Sequence, residues 1–143
     1  MKIKVLLVDD EQEFVDALAE RLEVRDFEVL KADSADAALD RIAKTEVDVV
    51  ILDVLMPGKD GITALLEMKK AKPLVEVIML TGNATVETAI EGLKRGAFDY
   101  LRKPADTKEL IEKIVLAYTR KAEQEARIRQ AHIDNILMRK GWD

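Results

Sequence analysis

Short, β-branched apolar runs alternate along this chain with longer stretches of helical period, and no other feature of the sequence restricts its fold as much. The strand candidates are Ile3–Val8, Phe27–Ala32, Val47–Leu52, Val75–Leu80 and Phe98–Leu101. Five such runs, each followed by a helical stretch, predict an α/β domain with a parallel sheet wound by helices on both faces. The run Val49-Val50-Ile51-Leu52 does not alternate with polar residues, as expected of a strand covered on both sides.

Helix starts are marked by capping chemistry. Asp10 with Glu13, and Asp106 with Glu109, have the spacing of a capping box, so the first and last helices are predicted to begin there. Ser34 is placed to cap Ala35–Lys44, Asp60 to cap Gly61–Lys70, and Thr85 to cap Val86–Arg95, which Gly96 closes. Phe14, Leu18 and Leu22 recur every four residues in the first helix and form a stripe to lie on the sheet.

Several function classes are disfavoured by composition. The chain has 143 residues, 48% of them hydrophobic, enough for one cored domain, and it has no cysteine for a disulfide or a thiolate metal site. The apolar run after Met1 is too short for a secretion signal, and none approaches the roughly 20 residues that cross a bilayer. A soluble, cytoplasmic protein that makes no membrane contact is expected. Residues 1–118 carry 17 Lys and Arg against 24 Asp and Glu, whereas residues 119–143 carry 6 against 4. An acidic body of this kind argues against direct nucleic-acid binding.

In open parallel sheets, ligands bind at the carboxyl ends of the strands. Those ends hold Asp9 and Asp10 after the first strand, Asp53 after the third, Thr81 after the fourth, and Lys103-Pro104 just past the fifth. Clustered carboxylates stay ionised together only beside a cation, and an all-oxygen set suits a hard divalent ion such as Mg²⁺. A carboxylate nucleophile, a metal, a lysine and a hydroxyl together suit phosphoryl transfer through an acyl phosphate.

Over about residues 3–118 the sequence resembles the receiver domains of two-component response regulators, within that family those of enhancer-dependent transcription activators. The resemblance rests on Val8-Asp9-Asp10-Glu11, on Asp53-Val54-Leu55-Met56-Pro57-Gly58-Lys59-Asp60-Gly61, on Thr81-Gly82, and on Tyr100-Leu101-Arg102-Lys103-Pro104. It implies the strand order 2-1-3-4-5 and a phosphoryl group accepted by Asp53 from a sensor histidine kinase or a phosphotransfer protein. It further implies that Mg²⁺ is held by Asp10, Asp9, Asp53 and the main-chain carbonyl of Leu55. Lys103, before a cis peptide bond to Pro104, would pair with the phosphoryl group. Thr81 would bond a phosphoryl oxygen while Tyr100 turns inward, the two forming the switch. Leu55 and Asn83 occupy positions that tune phosphate lifetime in the family, and the first helix is commonly part of the partner surface.

Two other classes compete with a signalling switch. A Mg²⁺-dependent phosphohydrolase using Asp53 would need a second acid two residues on, where Leu55 stands. A bare helical pairing module would leave Asp10, Asp53, Thr81 and Lys103 without a purpose. His132, in a polar helical stretch, is read as solvated rather than as a phosphotransfer group.

The sequence divides into a receiver domain, 1–120, and a helical extension, 121–143. One helix is predicted from Asp106 to about Arg139, with Glu123 and Arg127, and Glu125 and Arg129, spaced for ion pairing. Ala122, Ala126, Ile133 and Leu137 continue an apolar stripe, joined by Ile136, Met138 and Trp142. Such a stripe fits a homodimer contact, a fold-back, a target protein, or a linker cut from a larger transcription regulator.

Overall fold

The computed structural model describes residues 2–54, 60–82 and 85–141. Its strands are β1 (Lys4–Val8), β2 (Glu28–Ala32), β3 (Val49–Leu52), β4 (Glu76–Thr81) and β5 (Asp99–Arg102), and its helices are α1 (Gln12–Val24), α2 (Ala35–Lys44), α3 (Gly61–Ala71), α4 (Val86–Lys94) and α5 (Thr107–Arg139). All strand pairs are parallel and the sheet order is β2-β1-β3-β4-β5, as expected. The chain reverses direction across the sheet between β1 and β3, which places the carboxyl ends of those strands at the crevice where ligands of such sheets bind.

Period-two alternation distributes the strand side chains between two cores. Leu6, Val8, Val50, Leu52, Val77 and Met79 pack with Ala38, Ile42, Leu65 and Met68 of α2 and α3. Val5, Leu7, Val49, Ile51, Ile78 and Leu80 pack with Val15, Leu18 and Leu22 of α1 and Leu110, Ile114 and Ala117 of α5. β3 is buried at all four positions, which accounts for its unbroken apolar sequence.

Three expected caps form: Ser34 Oγ accepts from the Ala37 amide at 3.1 Å, Asp60 Oδ1 from Ile62 at 3.3 Å and Thr85 Oγ1 from Thr88 at 3.0 Å. The capping box at Asp10 does not. The N-cap of α1 is Glu11, without a side-chain cap bond, and Asp9 Oδ1 accepts from the Glu11 amide at 3.0 Å. The Asp10 carboxylate lies instead with the other strand-end acids, one of its oxygens within 4.8 Å of those of Asp9 and Asp53. Asp106 is the N-cap of α5, again without a side-chain bond.

Gly61 opens α3 where a Cβ would run into the Val54 backbone. Its amide donates to the Val54 carbonyl at 3.3 Å, so the helix start is drawn against the chain that leaves Asp53.

At the amino edge of the sheet lies a network of buried charge. Glu76, only 2% exposed, takes a bidentate ion pair from Arg120 and lies 3.6 Å from Lys69. Burial lowers the pKa of Lys69, partly countered by Glu76. The Arg120 guanidinium also lies 4.6 Å over the Phe98 ring. Lys121, 5% exposed, bonds Asp48 at 3.0 Å and reaches Glu46 and Glu125, each at 3.4 Å. Glu125, expected to pair forward with Arg129, therefore reaches back one turn. These contacts carry the packing of α5 past residue 120. Beyond them Ile128, Ile133, Leu137 and Met138 are exposed on an unbroken helix, and Trp142 lies outside the described residues.

Candidate functional site

The ends of β1, β3, β4 and β5 deliver the candidate residues to the crevice. Asp9, 4% exposed, follows β1, and Asp53, 5% exposed, follows β3 next to it in the sheet. The Asp53 amide donates to the Val8 carbonyl at 3.0 Å and the Asp9 amide to the Ala32 carbonyl at 3.1 Å, so parallel pairing continues into the site and fixes both acids. Asp10 is exposed, yet one carboxylate oxygen from each of Asp9, Asp10 and Asp53 lies within 4.8 Å of the others.

The ammonium of Lys103 enters this acid group from the far side of the sheet. Its Nζ donates to Asp9 Oδ2 at 2.5 Å, Glu11 Oε1 at 3.0 Å and Asp53 Oδ2 at 3.4 Å. The peptide bond from Lys103 to Pro104 is cis, and the Lys103 amide donates to the Thr81 carbonyl at 3.0 Å, so the lysine backbone is tied to the end of β4. Burial works to lower the pKa of Lys103, but hydrogen bonds to Asp9 and Glu11 and the charge of Asp53 outweigh it and raise the value. For Asp9 burial is the largest influence and raises the pKa against the opposing pull of Lys103 and the Glu11 amide. Among the described residues, the Lys103 ammonium is shared by Asp9, Glu11 and Asp53, with the Asp10 carboxylate beside them.

Thr81, 1% exposed, ends β4. Tyr100 pairs in register with Met79, so Tyr100 and Thr81 lie on one face of neighbouring strands, the face that carries α3 and α4. Tyr100 is half-buried against that core. Leu55 and Asn83 lie outside the described residues. His132 is exposed on the α5 extension, on the far side of the sheet from the crevice.

Two residues carried no role at the site from sequence. Glu11 pairs with Lys103, and Phe14 places its ring 4.2 Å beneath the same ammonium. The available signal was their position: both belong to the turn that begins immediately after the acid pair, with Phe14 four residues beyond Asp10.

The model for the response regulator receiver domain matches residues 5–115. The chain belongs to this family. It is 42% identical over 107 residues to the regulatory protein AtoC of Escherichia coli (strain K12), a match covering 75% of this chain and 23% of that protein. To the regulatory protein VanR of Enterococcus faecium it is 36% identical over 141 residues, covering 99% of this chain and 60% of VanR. The chain therefore spans less than two thirds of either relative. Among solved structures it superposes, with a TM-score of 0.76 and 25% identity, on a response regulator from Burkholderia pseudomallei holding a phosphorylated aspartic acid, a calcium ion and citrate; 99% of this chain and 88% of that one are covered.

Receiver domains are phosphorylation-dependent signalling switches rather than enzymes, they bind Mg²⁺, and they interact with histidine kinases or phosphotransfer proteins. The oxygen-only donor set that Asp9, Asp10 and Asp53 offer within 4.8 Å of one another fits such an ion. Among the described residues no helix is long and apolar enough to cross a membrane.

Proposed function

We propose that Asp53 is the phosphoacceptor of this receiver, and that Asp9 and Asp10, with Asp53 itself and the carbonyl of Leu55, hold the magnesium ion. The observation that carries the reading is the convergence of three carboxylates within 4.8 Å around one lysine, at the ends of strands far apart in sequence. When bound, the ion neutralises charge on the phosphoryl oxygens and the acceptor. The Asp53 carboxylate attacks phosphorus, a P–O bond forms, and the donor's bond to phosphorus breaks with its electron pair leaving on the donor. Lys103, which holds Asp9 and reaches Asp53, would pair with the incoming phosphoryl oxygens. Thr81 accepts its place beside the phosphoryl group, and Tyr100, on the same sheet face, follows it inward. The phosphorylated aspartic acid and calcium ion of the Burkholderia protein support this assignment by likeness.

Donor specificity rests on a histidine kinase or phosphotransfer protein in the cytoplasm, with α1 part of the docking face. Output passes through protein contact, and the exposed apolar residues of α5 beyond Glu125 favour pairing with a second copy. The receiver body, on this reading, ends near Glu125 and the extension follows it. A second reading, an amino-terminal receiver of a larger regulator, is favoured by the 23% share of AtoC that the match covers.

Intact mass with a small acyl phosphate and Mg²⁺ tests the assignment. One phosphoryl adduct is expected on the wild type, absent without Mg²⁺ and absent in Asp53→Ala. An adduct that survives Asp53→Ala would overturn it.

A further inference from the structure

Phe14 reads from sequence as the first member of the α1 core stripe, yet its ring serves both the core and the crevice. The Lys103 ammonium stands 4.2 Å from the ring centroid, within the range where the negative face of an aromatic ring attracts a cation. The lysine side chain is 13% exposed, so that attraction is little weakened by solvent. Phe14 also lines, with Leu18, Leu80, Asp9 and Asp53, a small, mostly apolar recess beside the acids. The ammonium therefore has carboxylates on one side and an aromatic face on another, and its position along the acid group is limited by the ring.

We propose that Phe14 is a positioning residue for phosphoryl uptake: its aromatic face seats the Lys103 ammonium within reach of Asp53. The inference rests on the reading of Lys103 as the partner of the phosphoryl group. Leucine at this position would keep the apolar recess but offer no π face, leaving the ammonium held by carboxylates alone. Since Asp9 and Glu11 are its nearer partners, at 2.5 and 3.0 Å against 3.4 Å for Asp53, the unseated lysine spends less time where the phosphoryl group arrives.

The full chain tests this as wild type, Phe14→Leu and Phe14→Tyr. Two measurements are made: the initial rate of adduct formation with a small acyl phosphate and Mg²⁺, and the NMR position of the Lys103 side-chain protons in the metal-free protein. Protons above a ring face are shielded, so the Lys103 signals are expected upfield in wild type and Phe14→Tyr, and displaced downfield in Phe14→Leu. Uptake is expected to fall roughly two- to ten-fold in Phe14→Leu and to stay within about two-fold in Phe14→Tyr. Uptake is compared at saturating Mg²⁺, followed by the amide shifts of Asp9 and Asp53, so that a lysine held closer to Asp9 does not enter the rates through metal binding. Unshielded Lys103 protons in the wild type, or equal rates in Phe14→Leu and wild type, would overturn the proposal, as would equal slowing by leucine and tyrosine. Should the wild type take up no phosphoryl group, the assignment of Asp53 fails, and the shielding comparison alone then decides whether Phe14 seats the lysine.

Discussion

A carboxylate taken out of water without a full counter-charge costs stability, and Asp9 is such a group. Its pKa is raised above the ordinary aspartate value of 3.8 mainly by burial. The protonated form is therefore favoured by folding, and the stability this lends is complete below pH 3.8 and disappears as the pH rises through the raised value. At neutral pH the ionised group opposes folding. In metal-free buffer at pH 7, Asp9→Asn is expected to raise stability by about 1 kcal/mol, the gain vanishing on acidification. Added Mg²⁺ is expected to stabilise the wild type and to do so much less for the variant. Thermal melts at pH 4 and pH 7, with and without Mg²⁺, make the comparison. The identities of the strand-end residues were legible in the sequence. That Asp10 would turn to the acid group rather than cap α1 was not, because one carboxylate satisfies both local patterns and only the position of Asp53 chooses between them.

Among the elements, α1 and α4 close in the same way with different residues. At the end of α4 the Ala97 amide bonds the Gly92 carbonyl at 3.0 Å around Gly96, whose φ is 110°. At the end of α1 the Phe27 amide bonds the Leu22 carbonyl at 3.2 Å around Asp26, whose φ is 69°. Both are six-to-one closures that call for a left-handed residue, and glycine adopts that conformation without the Cβ penalty. Asp26→Gly is expected to stabilise the fold by roughly 0.5–1 kcal/mol in denaturant unfolding and to leave phosphoryl uptake untouched, since Asp26 lies at the far end of α1 from the crevice. Gly96 announced its closure in the sequence. Asp26 did not, because an aspartate in a turn has many roles and its conformation is imposed here by the need to bring Phe27 under the sheet, where it is 7% exposed.

For the molecule as a whole, α5 is both core element and extension, and the change occurs without a break in the helix. Its 33 residues span about 50 Å, of which the part after Glu125 is roughly 21 Å. Arg120 and Lys121 bind Glu76 and Asp48 at the amino edge of the sheet, so the domain needs them. A chain ending at Glu125 is expected to unfold in denaturant at nearly full stability. One ending at Tyr118 is expected to lose about 2–4 kcal/mol, somewhat below the usual penalty for stranding a buried acid because Lys69 remains near Glu76. Equal stability of the two chains would show the ion pairs to be ornamental.

What the sequence determined alone is local. The alternation of apolar runs with helical stretches specified an α/β sheet, Ser34, Asp60 and Thr85 specified three helix starts, and the strand ends named the chemistry. These patterns repeat within a few residues, which is the range over which backbone geometry acts. The tertiary structure decided which charges meet. Lys103 joins Asp9 across 94 residues, Lys121 joins Asp48 across 73, and Arg120 joins Glu76 across 44. Glu76 opens a strand and reads as a surface acid, since an isolated carboxylate is seldom buried. It is buried because α5, laid across the sheet by the packing of Leu110, Ile114 and Ala117, brings a guanidinium to it, and no spacing along the chain encodes that encounter.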